Sequence, residues 1–283
     1  MSVGKTRPKP IDELVPRLRT ELSDAAELLL CLDFDGTLAP IVEDPDEAKP
    51  THAVEDALET VTTEPDVTTA VVSGRGLADV RQRVEGPRIY AGNHGLELAR
   101  GGDVAVHPVA RKRAERIDAV CEALEVALDP VPNARIENKR LTATVHVRSV
   151  PSGAQPQVER LTDDAVDRFG GDDLEVSTGK QILEIGPDIP WGKGNAVELI
   201  MADLPDEAVP VYIGDDVTDE SAFRAVEPGG IGVRVGDNKP TAASGRVRSP
   251  EQVASLLEWF GTAGLEHVRG QVPRSRMQTI RSP

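Results

Sequence analysis

Apolar residues along the chain fall into short runs that end in polar or turn-forming residues. Five of these runs are typical of strands buried on both faces, at 28–32, 68–72, 88–91, 209–213 and 231–235. Helix-like stretches lie between these runs, at 53–62, 77–84, 196–202 and 220–226. Strands that alternate with helices predict an α/β fold with a doubly wound parallel sheet of the Rossmann-like kind.

The pattern changes between residues 101 and 186. Helical stretches at 110–128 and 155–169 accompany alternating strands within 135–148 and two short strands around 177–185. Alternating strands are half-exposed, and Thr142, Thr144, His146 and Arg148 share one face, on which we expect the threonines to meet solvent. We therefore predict an inserted α+β cap at 101–186 and a discontinuous core at 1–100 and 187–283. Residues 1–20 and 264–283 lack a clear period, which predicts weak structure.

Polar side chains follow four of the predicted strands. Asp33 and Asp35 follow the first, Ser73 the second and the segment 92–95 (GNHG) the third, while Asp215 opens an acidic run after the fourth. In open α/β sheets, ligands bind beyond the carboxyl ends of the strands. We expect these side chains to converge at one edge of the sheet.

Clustered carboxylates are costly to bury unless a cation binds among them, and Mg²⁺ (magnesium) is the natural oxygen-liganded candidate. One carboxylate could attack phosphorus to form an aspartyl-phosphate, and a neighbouring acid could move protons for the leaving group and for water. A hydroxyl and an ammonium, supplied by Ser73 and Lys193, would stabilise the transferring phosphoryl group. The alternative for an isolated D-x-D pair is loop capping without metal.

Several motifs also occur in a known family. The segments DFDGT, VVSGR, WGKG and GDDVTDE resemble the four signatures of haloacid dehalogenase-type phosphatases. Further segments resemble the trehalose-6-phosphate phosphatases among them: GNHGLE at 92–97, ENK at 137–139, HVR at 146–148 and GKQILE at 179–184. The resemblance spans about residues 28–260 in the family's order and implies Mg²⁺-dependent hydrolysis of trehalose 6-phosphate.

The resemblance also implies roles for individual residues. Asp33 is then the nucleophile and a metal ligand, and Asp35 is the general acid/base and contributes its backbone carbonyl to Mg²⁺. Ser73 and Lys193 hold the phosphoryl group, and Asp215 ligates the metal. Two further acids act through water or orient neighbours, namely Asp216 and Asp219. The implied substrate-binding residues are Gly74, Arg75, His94, Lys139, His146, Arg148, Lys180 and Glu184.

The charge of the chain limits its partners. A net charge of −16 and a pI near 4.8 argue against nucleic acid and anionic membranes as partners. The partner that the resemblance implies is a small-molecule sugar phosphate. Only eight of the 32 basic residues are lysines, and this acidic, lysine-poor composition leads to the hypothesis of a halophilic host. Three of those lysines are implied site residues, which supply local positive charge. The first 20 residues contain no apolar signal-like segment, and Cys31 lies in an apolar run, so we expect a cytoplasmic, reduced protein.

Alternatives remain at this point. The sugar could instead be sucrose phosphate or a glycosyl-phosphoglycerate, because the fold does not determine the substrate. Two further hypotheses are that the chain is a phosphotransferase, or that it is a non-catalytic phosphate- or Mg²⁺-sensing domain that partners a synthase. We also expect a monomer and functional coupling to a trehalose-6-phosphate synthase. One departure from the family pattern is Gly186, where relatives commonly carry a basic residue before proline.

Overall fold

A computed structural model describes residues 4–23, 25–179, 181–227 and 229–266. The chain divides into two compact units. The first unit contains the residues up to Asp103 and from Gly192 onward, and the second unit comprises Val104–Trp191. The predicted boundaries, after residues 100 and 186, lie a few positions earlier. Within the described ranges, no helix combines the length and apolarity needed to cross a bilayer.

The first unit is built on a sheet with helices along its strand connections. Its strands are β1 (Lys9–Pro10), β2 (Glu27–Leu32), β3 (Val67–Val72), β4 (Ile89–Gly92), β5 (Glu97–Arg100), β11 (Ala208–Gly214), β12 (Ile231–Val235) and β13 (Gly245–Val247). A further strand, β6 (Asp103–Val106), begins at Asp103, where the first segment of this unit ends. Its helices are α1 (Ile11–Ser23), α2 (His52–Thr62), α3 (Leu77–Arg83), α6 (Lys193–Met201), α7 (Glu220–Val226) and α8 (Pro250–Trp259).

The strand order in this unit is β1-β13-β12-β11-β2-β3-β4-β5. The pairs from β1 to β4 are parallel, and β11 and β3 flank β2 on its two sides. The predicted parallel α/β sheet is therefore confirmed. The antiparallel strand β5 beside β4 was not predicted from the sequence.

Both faces of the central strands are buried, which explains their continuous apolar sequences. Along β2, Leu28, Leu30 and Leu32 enter one hydrophobic cluster, with helices α1, α2 and α8. Leu29 and Cys31 point to the opposite cluster, with helices α6 and α7. Each strand thus contributes to two cores, as its period of two residues requires. Cys31 and Cys121 are both free thiols in buried positions.

The second unit has a four-stranded antiparallel sheet and two long helices. Its strands, β7 (Arg135–Asn138), β8 (Ala143–His146), β9 (Leu174–Thr178) and β10 (Ile182–Pro187), are ordered β7-β8-β10-β9. The helices are α4 (Pro108–Leu128) and α5 (Gln155–Ala165), the second of which continues as a π-helical turn at Val166–Gly170. Apolar residues of one sheet face pack with these helices into a separate core.

Two expectations from the sequence were wrong. Residues 11–20 belong to helix α1, in which Leu14, Leu18 and Leu22 are buried at a spacing of four. Pro16 inside that helix concealed the pattern, because proline usually ends a helix. The threonines of the second unit do not meet solvent: Thr142 and Thr144 are only 4% and 2% exposed.

Candidate active site

The loops after β2, β3, β4 and β11 bring the predicted polar residues of the first unit to one edge of its sheet. Backbone hydrogen bonds connect these loops. The Asp33 N–H donates to the Ile213 carbonyl at the end of β11, and the Ser73 N–H donates to the Ala91 carbonyl of β4. The His94 N–H donates in turn to the Ser73 carbonyl. The parallel register therefore fixes the relative positions of these strand ends before side chains contribute.

Lys193 is the centre of a buried ionic cluster. It begins helix α6, and its Nζ donates to Asp33 Oδ1 and to Asp219 Oδ1, at 2.7 Å each. The three side chains are almost completely buried. Asp219 also accepts hydrogen bonds from the Tyr212 hydroxyl at Oδ1 and from the Asp216 N–H at Oδ2. Two carboxylates thus share one ammonium away from water.

The charges in this cluster are not balanced. Burial raises the pKa of Asp33, and the neighbouring carboxylates of Asp219 and Asp215 raise it further, against the opposing effect of Lys193. Burial alone would lower the pKa of Lys193, but the carboxylates of Asp219 and Asp33 outweigh it and raise that pKa above its usual value. The ammonium is therefore retained, and the excess negative charge would be relieved by a bound cation.

The donor set fits a hard divalent cation. Asp33, Asp215 and Asp219 each offer one carboxylate oxygen, and these atoms lie within 4.8 Å of one another. Oxygen-only ligands suit Mg²⁺, which commonly takes one or two protein carboxylates together with phosphate and water. Both oxygens of Asp219 accept hydrogen bonds, and Asp33 Oδ1 also accepts one from Lys193. The resemblance implies that Asp33 and Asp215 are the direct ligands.

Gly36 is required by the close approach of two loops. Its φ of +81° lies in the left-handed region, and a Cβ at this position would be 2.5 Å from Asp215 Cγ. The glycine of DFDGT therefore lets the Asp215 carboxylate pack against the backbone of the first loop. Any side chain here would displace the Asp215 carboxylate.

Asp35 and Arg75 form a two-point ion pair. Arg75 Nε and Nη2 donate to the two carboxylate oxygens of Asp35, at 2.8 Å each. Its Nη1 donates to Asp79, and its Nη2 also reaches the Pro45 carbonyl. Burial alone would lower the pKa of Arg75, but the hydrogen bonds that it donates to Asp35 and Asp79 outweigh burial and raise that pKa. The predicted substrate residue Arg75 thus holds Asp35, which is itself half-exposed.

Ser73, Gly74 and His94 lie together beside this pair. Ser73 is buried, and its Oγ accepts from the Arg75 N–H. A Cβ on Gly74 would be 2.6 Å from His94 Cε1, so the imidazole packs directly over the glycine. His94 adopts a φ of +55°, which is strained for a residue with a side chain. Buried Glu97 braces this turn by accepting from Asn93 Nδ2 and from the Leu77 N–H.

The predicted substrate residues of the second unit form pairs with neighbouring acids. Lys139 Nζ lies 3.5 Å from Glu184 Oε1, and His146 Nε2 lies 2.9 Å from Glu137 Oε2. Glu137, His146 and Glu184 share the sheet face opposite the helices, as the registers of β7, β8 and β10 show. Two other predicted residues complete the set: Arg148 is exposed after β8, and Lys180 lies outside the described residues.

Four residues that contact the predicted site residues were absent from the predicted site. They are Tyr212, Glu97, Asp79 and Glu137. Glu97 had a signal, as the last residue of the GNHGLE motif. Tyr212 stands in a strand that is apolar on both sides, and the polar function of its hydroxyl cannot be recognised from that pattern.

Comparisons with known proteins show which family the chain resembles. Residues 31–251 match the Trehalose-phosphatase family. A trehalose-phosphate phosphatase of Mycobacterium ulcerans is 39% identical over 236 residues, which cover 79% of this chain and 59% of that relative. Trehalose-phosphate phosphatase B of Arabidopsis thaliana is 34% identical, covering 82% of this chain and 66% of its own length. The chain therefore spans about three fifths to two thirds of these curated relatives.

A solved structure shows the same fold. The C-terminal domain of Candida albicans trehalose-6-phosphate phosphatase aligns with a TM-score of 0.74 at 22% identity, over 90% of this chain and 99% of that one. Phosphatases of the haloacid dehalogenase superfamily are further structural neighbours. The extent of the family match and the identity to its curated relatives lead to one conclusion. This chain belongs to the trehalose-phosphatase family.

Proposed function

We propose that the chain hydrolyses trehalose 6-phosphate to trehalose and inorganic phosphate, in a Mg²⁺-dependent reaction that proceeds through an aspartyl-phosphate at Asp33. The observation that carries the proposal is the buried contact of Asp33 with Lys193, beside Asp215 at the carboxyl edge of the sheet. The curated relatives named as trehalose-phosphate phosphatases support the choice of substrate.

In the first step a carboxylate oxygen of Asp33 attacks phosphorus, and the bond from phosphorus to the sugar oxygen breaks. Asp35 delivers a proton to that leaving oxygen. In the second step Asp35 takes a proton from water, which attacks the phosphorus of the aspartyl-phosphate and releases phosphate. The Lys193 ammonium and the Ser73 hydroxyl stabilise the charge on the phosphoryl oxygens in both steps. Mg²⁺, held by Asp33, Asp215 and the Asp35 carbonyl, would supply charge neutralisation at the phosphate.

The contact between Asp35 and Arg75 adds a requirement to this mechanism. Both oxygens of Asp35 accept hydrogen bonds from Arg75, a geometry that suits an accepting carboxylate rather than a proton donor. The acid role therefore requires Asp35 to leave Arg75 and take up a proton when substrate binds. Asp35 is half-exposed, so its side chain has room for this change.

We further propose that the second unit, the predicted cap, selects the sugar. Lys139 with Glu184 and His146 with Glu137 provide donors and acceptors on one sheet face, which is what dense recognition of sugar hydroxyls needs. Each pair offers a donor and an acceptor at fixed separation. Arg148 and Lys180 complete the proposed set, and Asp216 acts in the first unit through water at the metal.

The experiment is phosphate release from a panel of sugar phosphates, with Mg²⁺ and with EDTA, in high KCl. The panel contains trehalose 6-phosphate, sucrose phosphate and a glycosyl-phosphoglycerate. We expect a strong preference for trehalose 6-phosphate that is lost with EDTA and falls by at least about a thousandfold in Asp33→Asn, which lacks the attacking carboxylate. Equal turnover across the panel would refute the substrate, and transfer of phosphate to added sugar would indicate a phosphotransferase. Absence of all turnover would favour a sensing domain.

Functional coupling to a trehalose-6-phosphate synthase, a monomeric state and a cytoplasmic location are part of the same proposal. A synthase would supply the substrate directly, since its product is the phosphate ester hydrolysed here. Gel filtration of the chain alone and with a synthase from the same host tests the monomer and the coupling. A persistent dimer would contradict the monomeric state. Coupling would be contradicted if the synthase changed neither the elution of the chain nor the rate at which the two proteins together form trehalose.

A further inference from the structure

Tyr212 connects the middle of strand β11 to the ionic cluster. Its side chain is completely buried, and its hydroxyl donates to Asp219 Oδ1 at 2.6 Å. The ring packs edge-on against Phe223, with ring centroids 5.6 Å apart. The hydroxyl is thus held by packing on its strand and directed at one carboxylate oxygen.

The cluster needs this hydroxyl because of its charge. Asp33 and Asp219 are 4% and 0% exposed, and Lys193 contacts both with its single ammonium. A buried carboxylate is tolerated only when hydrogen bonds satisfy its oxygens. For Asp219, the Asp216 N–H serves Oδ2, while Lys193 and Tyr212 share Oδ1.

We infer that Tyr212 is a positioning residue for Lys193 and acts through Asp219. By donating to Asp219 Oδ1, the Tyr212 hydroxyl fixes that carboxylate and supplies one of the hydrogen bonds that its buried oxygen needs. The Lys193 ammonium then lies at equal distances, 2.7 Å, from Asp219 and from Asp33. Without the hydroxyl, Lys193 would be the donor left at Oδ1 among the described residues, and Asp219 would draw the ammonium away from Asp33.

The consequence for the reaction rests on the proposed function. If Lys193 stabilises the transferring phosphoryl group at Asp33, its displacement raises the barrier of the chemical step. The sugar is bound elsewhere in the proposal, so substrate affinity should be unaffected. The expected signature is a loss in kcat at unchanged KM.

The test is Tyr212→Phe, which keeps the ring packing and removes only the hydroxyl. A hydrogen bond to a charged group typically corresponds to about a tenfold to hundredfold effect, so we expect kcat to fall by that factor with KM unchanged. The matched control is Tyr90→Phe, which removes a hydroxyl that donates to the Val84 carbonyl at 2.8 Å, outside the cluster. This control should keep the kcat of the wild type.

A double-mutant cycle separates positioning from a general effect on stability. When Asp219→Ala has removed the acceptor, the Tyr212 hydroxyl has no carboxylate to hold, so adding Tyr212→Phe should cause no further loss. Additive losses would mean that Tyr212 acts independently of Asp219 and would overturn the inference. A normal kcat in Tyr212→Phe, or a loss confined to KM, would overturn it as well.

Each variant is assayed with trehalose 6-phosphate and with p-nitrophenyl phosphate, which reports the phosphoryl chemistry without the sugar. Wild type that turns over only p-nitrophenyl phosphate would refute the proposed substrate and leave the cycle readable. Wild type that turns over neither would refute the proposed function, and the inference with it. Active wild type with an unaffected Tyr212→Phe would refute the inference alone.

Discussion

Removal of the Lys193 ammonium should destabilise the protein far more than removal of an equally close but exposed lysine contact. Lys193→Met keeps an unbranched side chain of similar length and leaves Asp33 and Asp219 buried without their cation. Lys239→Met is the matched control. Lys239 Nζ lies 2.6 Å from Asp237 Oδ2, which is slightly closer than the Lys193 contacts.

Burial, and not distance, determines the expected magnitudes. The Lys193 side chain is 3% exposed and that of Lys239 is 75% exposed. At 2.7 Å and an effective dielectric constant of about 20, each Lys193 contact corresponds to roughly 6 kcal/mol of Coulomb attraction before the cost of burial. The net cost of removing one partner of a buried pair is about 3–5 kcal/mol. An exposed pair contributes about 0.2–1 kcal/mol.

The assay is urea unfolding followed by far-UV circular dichroism, in about 1 M KCl, where the Debye length is about 3 Å. Both variants lose one positive charge from a chain of net charge −16, so the change in overall repulsion is the same. The difference between their free energies of unfolding therefore reports the buried cluster. We expect Lys193→Met to be at least about 2 kcal/mol less stable than Lys239→Met. Equal stabilities would refute the reasoning that the cluster depends on its ammonium.

Three other changes test separate parts of the structure. In Gly36→Ala the new methyl group would displace the Asp215 carboxylate, so the rise in Tm on adding Mg²⁺ should disappear. The control is Gly101→Ala, where φ is also positive but the space around the residue is open, and this variant should keep the rise. A retained rise in Gly36→Ala would contradict the ligand assignment. Gly186→Lys should fit, since its Cβ would meet only Thr142 Cγ2 at 3.6 Å, and should lower KM for an anionic sugar phosphate; an unchanged KM would argue against a substrate contact there. The composition predicts that circular dichroism of the wild type is retained in molar KCl and lost in low salt, and a fold stable in low salt would contradict the halophilic hypothesis.

The arrangement of the site in the first unit could be predicted because strand topology determines it. Asp33, Ser73 and Asp215 each follow a buried strand, and parallel strands bring their carboxyl ends to the same edge of a sheet. The prediction that these residues share one sheet edge needed no side-chain geometry. The apolar runs predicted the strands for the same reason, since burial on both faces leaves few polar positions.

Side-chain partners far apart in sequence could not be predicted in this way. Arg75 was predicted to contact substrate, and that prediction stands untested. Its ion pair with Asp35, 40 positions away, was not predicted, because it depends on side-chain rotamers. Tyr212 reads as another large residue in a buried strand, and only the three-dimensional contact reveals its bond to Asp219. Helix α1 was not predicted because Pro16 disfavours a helix locally. In the folded chain the burial of the helix's leucines outweighs that preference.

The identity of the nucleophile is the central claim, and acid quenching of the enzyme during turnover of trehalose 6-phosphate with Mg²⁺ tests it most directly. Borohydride reduces an aspartyl-phosphate to homoserine, and peptide mass spectrometry then locates the reduced residue. The account predicts homoserine at position 33, together with its absence in a sample without substrate. Turnover with an unreduced Asp33, or with homoserine at another position, would contradict the account.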